Sequence, residues 1–424
     1  MPDVITVDDL RDPQLTDLQS QVLEATRHLD VDFAIDTVLD EAVQTSGITD
    51  FDGAGLDGEF RERLGVHFAA IDADNLNPLS RMTLRERSVR LLRSRVLFTD
   101  LMRRYPEIED IEIEKPFIVI GMPRSGTTHF VNLIAADNRR RALPYWESRE
   151  PFPIRGEAAG PNGIDPRYQR TADEYAFVKE FMPFALAVHD RYPEAIEEEI
   201  ELDLDFSNYI VEWYAQVPQW RDYYLGLDQV KHYGYLKNVL KALTFLRGPQ
   251  TWVLKAPQHC EQIPALLEVF PDATFAFTHR DPVAVIQSTV TLMAYGDRIR
   301  REKVDTDWIV NYWVDRVERL LGACVRDRDL VPAERSIDIS FHHLNGNEIP
   351  FLEQLYQRGG VDLNPETRAA FDQYLSGNPR GKHGRIAYDL ERHFDRSPDE
   401  IRSRFDFYFD KFDVRPEPSG RDGQ

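Results

Sequence analysis

Apolar positions in this chain follow two different periods, and the change between them divides it. From Leu15 to Met102 they recur every three or four residues, the period of an amphipathic helix. Leu15, Leu18, Val22 and Leu29 mark one helix, and Phe33, Ile35, Val38, Leu39, Ala42 and Val43 a second. Leu64, Phe68 and Ile71 mark a third. Val89, Leu92, Val96, Leu97, Leu101 and Met102 mark a long one over Thr83–Tyr105, with many arginines on its other face. Those arginines read as a solvated face paired with nearby acids. After residue 110 short unbroken apolar runs alternate with helical stretches. The runs are Phe117–Ile120, Thr251–Leu254, Ala273–Phe277 and Ser336–Ile339. Such runs predict strands buried on both faces, as in a parallel α/β sheet. Helices are predicted over 261–269, from Pro282, and over 306–327, 347–359 and 365–377, with 165–247 helical as well. Prolines and glycines between Pro151 and Gly163 predict a long loop or lid. The expected organisation is a helical region over 1–110, an α/β domain over 111–414, and a flexible tail over 415–424.

Composition narrows the function. A 424-residue chain with 42% hydrophobic and 29% charged residues can build a large folded core. No apolar run is long enough to span a bilayer, and Met1-Pro2-Asp3-Val4 lacks the basic and apolar parts of a secretory signal. A cytoplasmic protein is expected. The two cysteines, Cys260 and Cys324, offer neither a disulfide framework nor a metal cluster. A net charge of −22 argues against nucleic acid and anionic lipid as partners.

The candidate chemistry starts at the end of the first strand. Gly121-Met122-Pro123-Arg124-Ser125-Gly126-Thr127-Thr128 joins it to the helical pattern of Phe130, Val131, Leu133 and Ile134. A glycine-bearing loop at a helix N-terminus aims backbone N–H groups and partial positive charge at one spot, suited to an oxyanion. The G-x-x-x-x-G spacing of a Walker A loop is kept, but Thr127 stands where that motif needs lysine, and the cation is Arg124. Lys255 ends the second strand and His259 follows it. Arg280 ends the third, with Asp281 as N-cap, Pro282 at N1, and Ser288 two turns on. Ligands in open parallel sheets bind beyond these strand ends. A cationic Gly-containing turn, Arg380-Gly381-Lys382, comes later.

Pro-[Lys/Arg]-Ser-Gly-Thr-Thr, the Arg…Ser pair eight residues apart and the late cationic turn together resemble the sulfotransferases that use 3′-phosphoadenosine-5′-phosphosulfate, in particular the larger bacterial members. The resemblance covers Pro116 to about Asp389. It implies an α/β fold, a P-loop three-layer sandwich with a short parallel sheet. It also implies transfer of a sulfuryl group to a hydroxyl or amine without a metal. Pro123, Arg124, Ser125, Gly126, Thr127 and Thr128 would hold the 5′-phosphosulfate. Arg280, Ser288, Arg380, Gly381 and Lys382 would hold the 3′-phosphate side. Arg124 and Lys255 would stabilise the leaving group. The base would be His259, four residues after Lys255 where cytosolic relatives have Lys-x-His, or Glu199 in the acidic run Glu197–Leu204. That run otherwise reads as a wet helix face. Trp146-Glu147 resembles the family pattern near the acceptor cleft. Tyr209, Trp213, Tyr214, Trp220, Tyr223 and Tyr224 read as a core cluster that could also line the acceptor pocket. Aromatic content points to a lipid, sterol or phenol acceptor. The N-terminal helices would cap the acceptor site or form a contact between copies. A nucleotide kinase or NTPase, and an interaction protein on a retired P-loop, are the other readings of the same loop.

Overall fold

The computed structural model describes residues 4–160, 163–344, 346–378 and 385–418. Seven strands are formed: β1 Val4–Ile5, β2 Phe117–Gly121, β3 Arg140–Arg141, β4 Thr251–Ala256, β5 Thr274–His279, β6 Ser336–Ser340 and β7 Arg385–Ile386. Five make one parallel sheet in the order β3-β4-β2-β5-β6, and β1 pairs with β7 in a separate parallel ribbon.

β2 is central because both of its faces find an apolar layer. Ile118 and Ile120 face the core shared with the N-terminal helices, whereas Phe117 and Val119 face Phe130, Val131, Leu352 and Tyr356. All four are fully buried, each worth about 1.5–3 kcal/mol. The result is a three-layer α/β sandwich with a short parallel sheet, preceded by helices. Helices α1 Asp17–Thr26, α2 Ile35–Thr45, α3 Gly58–Asp72 and α4 Pro78–Arg104 make up the N-terminal region. Their apolar residues belong to the same continuous core as one face of the sheet. Helix α5, Thr127–Ala135, follows the glycine-bearing loop; α6 is Tyr145–Arg149 and α7 is Pro166–Phe181. Among the described residues no helix is long and apolar enough to cross a membrane.

The stretch expected to be helical over 165–247 is broken. Regular helix stops at Val188 and resumes at Pro218, and only single 3-10 turns, Glu199–Glu201 and Ile210–Trp213, lie between. The acidic run is therefore not a wet helix face. Glu197, Glu199, Glu201, Asp203 and Asp205 are all buried, while Glu198 between them is partly open. The odd-numbered positions from 197 to 205 point their carboxylates inward, where α3 and α4 supply guanidinium groups. Arg87 meets Glu201 at 2.7 Å, and Arg63 and Arg95 meet Asp205 at 2.6 and 3.0 Å. Removing charge from water demands such partners.

Asp203 is the exception. Its Oδ1 accepts the Ser207 N–H at 2.9 Å, but Oδ2 is buried with no hydrogen bond. Burial pushes its carboxyl up from 3.8 to about 7, against the lowering effect of the Ser207 amide and Arg87. The unfolded chain releases this proton near 3.8 and the folded chain near 7. Stability from this group is therefore lost as pH rises between those values, and is level above them. Asp203→Asn is expected to remove that slope. Urea unfolding between pH 5 and 8 should show the wild type losing stability relative to the variant by up to about 1 kcal/mol per pH unit.

Candidate active site

The glycine-bearing loop is built from backbone constraints. Gly121 ends β2 directly opposite Thr278 of β5, where a Cβ would stand 2.1 Å from Thr278 Oγ1. Only glycine lets these strand ends approach so closely. Ser125 then ties the loop down: its hydroxyl donates to the Met122 carbonyl at 2.6 Å and shares a 2.7 Å hydrogen bond with Thr278. Arg124 and Gly126 both have positive φ, 67° and 92°. Gly126 caps α5, whose first bond runs from the Phe130 N–H to the Gly126 carbonyl at 3.0 Å. The amides of Thr127, Thr128 and His129 thus lie outside the intrahelical ladder, at the positive end of the dipole. Thr127 is buried, and Thr128 and Arg124 are exposed. Arg124 leans on the chain, donating to the Val188 carbonyl at 2.9 Å.

The third strand brings a second cation to this loop. Arg280 Nη1 donates to the Arg124 carbonyl at 2.7 Å, so the two arginines expected to face one ligand do meet. Its other side forms a fork on the Glu417 carboxylate, at 2.7 Å from Nε and 2.6 Å from Nη2. The Glu417 N–H donates to Asp281 Oδ2 at 2.7 Å, and Arg402 bonds both Asp281 and the Glu417 carbonyl. Of the tail set apart at 415–424, residues up to 418 are described, and Glu417 is held by these contacts. A two-oxygen anion already occupies the Arg280 fork, which is the fit a phosphate would need. Ser288 is buried on the following helix, and its hydroxyl meets Tyr388 at 2.9 Å rather than Arg280. Arg380, Gly381 and Lys382 lie outside the described residues. Near the tail, ligand atoms of His342, His343 and Asp413 come within 4.8 Å of one another, a grouping the sequence spacing did not reveal.

β4 carries the third element. Lys255 is buried, and its Nζ donates to Glu198 Oε1 at 2.8 Å. Its backbone N–H donates to Glu199 Oε2 at 2.7 Å. Glu199 Oε1 is bonded to His259 Nε2, and His259 Nδ1 shares a 2.7 Å hydrogen bond with Tyr233. Burial would raise the Glu199 carboxyl, but His259 and the Lys255 amide outweigh it and hold it low. Glu197 behaves alike: His189 at 2.9 Å and Arg191 at 3.0 Å outweigh its burial. The structure thus brings the two expected bases together, but facing each other. Both nitrogens of His259 and both oxygens of Glu199 are engaged, and both side chains are buried. Neither is presented to an acceptor. The carboxylate beside Lys255 with some exposure is Glu198, which sequence reasoning passed over. The signal that finds it is the alternation of the acidic run once that run is known not to be a helix.

Trp146 and Glu147 are structural in their contacts. Glu147 is buried between Arg141 at 3.0 Å and Arg247 at 2.9 Å, and Trp146 lies under Arg167 and Arg247. In the aromatic cluster Tyr209, Trp220 and Tyr224 are core residues. Tyr214 instead accepts a hydrogen bond from Arg191 at 3.2 Å.

Comparison with known proteins places this geometry. Residues 116–365, which include the loop, Lys255 and Arg280, match a model of the sulfotransferase family. Omega-hydroxy-beta-dihydromenaquinone-9 sulfotransferase Stf3, from Mycobacterium bovis and from Mycobacterium tuberculosis, is 26% identical over 272 residues. That stretch is 60% of this chain and 64% of the relatives' length, short of two thirds of either. The solved structure of sulfotransferase STF9 from Mycobacterium avium has a TM-score of 0.79 at 24% identity, covering 93% of this chain and 100% of that one. STF1 from Mycobacterium tuberculosis gives 0.75 at 23% identity, covering 88% and 98%. Those two likenesses are of fold; the family match extends over more than half of the sequence, and by it the chain belongs to the sulfotransferase family.

Proposed function

We propose that this chain transfers a sulfuryl group from 3′-phosphoadenosine-5′-phosphosulfate to a hydroxyl or amine of a small, largely apolar acceptor. The observation that carries the proposal is the junction of two oxyanion sites, in which the Arg280 fork is bonded to the backbone of Arg124 in the glycine-bearing loop. Pro123, Arg124, Ser125, Gly126, Thr127 and Thr128 would hold the phosphosulfate. Arg280 would hold the 3′-phosphate in place of Glu417, with Ser288, Arg380, Gly381 and Lys382 assigned to the same end. The donor supplies an activated sulfuryl group on a phosphate leaving group.

The chain's own residues supply electrostatics and proton handling. Arg124, the first amides of α5 and Lys255 neutralise charge as it builds on the leaving oxygen. Glu198 takes the acceptor's proton, because it is the open carboxylate beside Lys255. Glu199 and His259 act as positioning residues, fixing the backbone of Lys255 through the Glu199 carboxylate. The relatives' printed name, an omega-hydroxy menaquinone sulfotransferase, supports an apolar acceptor with a hydroxyl. So do the exposed Ile164, Phe177 and Tyr192 over 164–192.

A ligand bound only by the native state raises its stability by mass action. Adenosine 3′,5′-bisphosphate is expected to raise the melting temperature more than ATP at equal concentration. The reverse order in a thermal-shift comparison would favour a kinase or NTPase. Arg280→Ala is expected to weaken bisphosphate binding by about 1.5–3 kcal/mol, measured by calorimetry; unchanged affinity would remove Arg280 from the donor site. Glu198→Gln is expected to lower kcat by about 10²–10⁴ while bisphosphate affinity is kept. Full activity in that variant would return the base role to another group.

A further inference from the structure

Helix α4 carries eight arginines, and every one except Arg90 has a carboxylate oxygen within 3.2 Å. The Arg90 guanidinium makes no hydrogen bond or ion pair, and its Nε is buried. A buried donor without a partner demands an explanation, since leaving it so costs free energy. Its charged neighbours deepen the question. Burial, and then Arg149 and Arg87 beside it, push its pKa down to about 10. The nearby carboxylates are taken: Glu174 is forked by Arg149, and Glu150 is held by Arg93 at 3.0 Å and Arg170 at 2.7 Å. Glu86, one turn earlier on α4, is exposed and interacts with Arg90 through space, without a direct ion pair.

Arg90 is linked to Lys255 through a chain of neighbouring charges that begins at Arg87 and Arg149. Glu197, next to Lys255, is held by Arg191, and Arg191 and Arg87 share Glu201 at 3.3 and 2.7 Å. Arg191 and Arg149 both lie over the Tyr145 ring, at 5.7 and 5.5 Å. A run of cations thus leads from Lys255 to one guanidinium that no carboxylate among the described residues pairs directly, Glu86, Glu150 and Glu174 acting on it only from a distance. The geometry points to an oxyanion subsite at Arg90 that binds a carboxylate or phosphate carried by the acceptor, at a distance from its reacting hydroxyl. The inference rests on the sulfotransferase reading and refines it: the acceptor is amphiphilic, with an apolar body and one anionic group.

The test is calorimetry on the full chain with adenosine 3′,5′-bisphosphate bound. The probes are 12-hydroxydodecanoate, 12-hydroxydodecyl phosphate and methyl 12-hydroxydodecanoate, which share a body and differ in charge. Wild type is expected to bind at least one anionic probe about tenfold or more tightly than the ester, and the tighter of the two identifies the oxyanion. Arg90→Gln should bring that ratio close to one. Arg90→Lys, which keeps charge without the fork, should retain part of it and serves if the glutamine variant does not fold. Equal binding of all three probes by wild type, or a preference that survives Arg90→Gln, would overturn the subsite. If the bisphosphate itself does not bind, the donor reading fails separately, and the same probe ratios are read on the chain alone.

Discussion

Charge withdrawn from water has to be matched, and this rule shapes the interior more than any single apolar contact. The run from Glu197 to Asp205 enters the protein between α4 and the end of β4 and meets a cation at nearly every inward position. Breaking one such pair leaves its partner uncompensated, which costs far more than a surface pair is worth. The network therefore fixes where Lys255 stands. Its backbone is bonded to Glu199 of the run and its ammonium to the preceding Glu198. On the proposed mechanism, catalytic geometry and core electrostatics would be the same set of contacts.

The same rule would separate the proposed donor and acceptor sides. At Arg280 the match comes from Glu417, a residue of the chain itself, in a fork that a phosphate could take over. At Arg90 no carboxylate among the described residues forms a direct pair, and its Nε is left without a partner. On the proposed function, an acidic protein would bind anions here through a cation whose own carboxylate partner can be exchanged and through one left without a direct partner, not by being basic overall.

The sheet and the loop were legible because their signals are local. Strands buried on both faces must be unbroken apolar runs, and the glycine-bearing loop is contiguous. The order of helices after β4 was readable for the same reason. The acidic run was misread because its composition suggests a solvated helix, while cations mostly distant in sequence, among them arginines of α3 and α4 more than 100 residues away, turn it inward. The bonding of His259 to Glu199, and of Arg280 to Glu417, joins residues 60 and 137 positions apart. No local pattern carries such a pairing. Two-residue strands such as β1, β3 and β7 are too short to show any period.

The smallest of these pieces has a long reach. β1 consists of Val4 and Ile5, yet its ladder partners are Arg385 and Ile386, which come just after the Arg380-Gly381-Lys382 turn, and Ile5 also accepts the Ala387 N–H at 3.0 Å. Val4 and Ile5 thus staple the segment from Arg385 to Ala387. A truncation that trims half a dozen N-terminal residues for convenience of expression would unfasten a segment almost four hundred positions away.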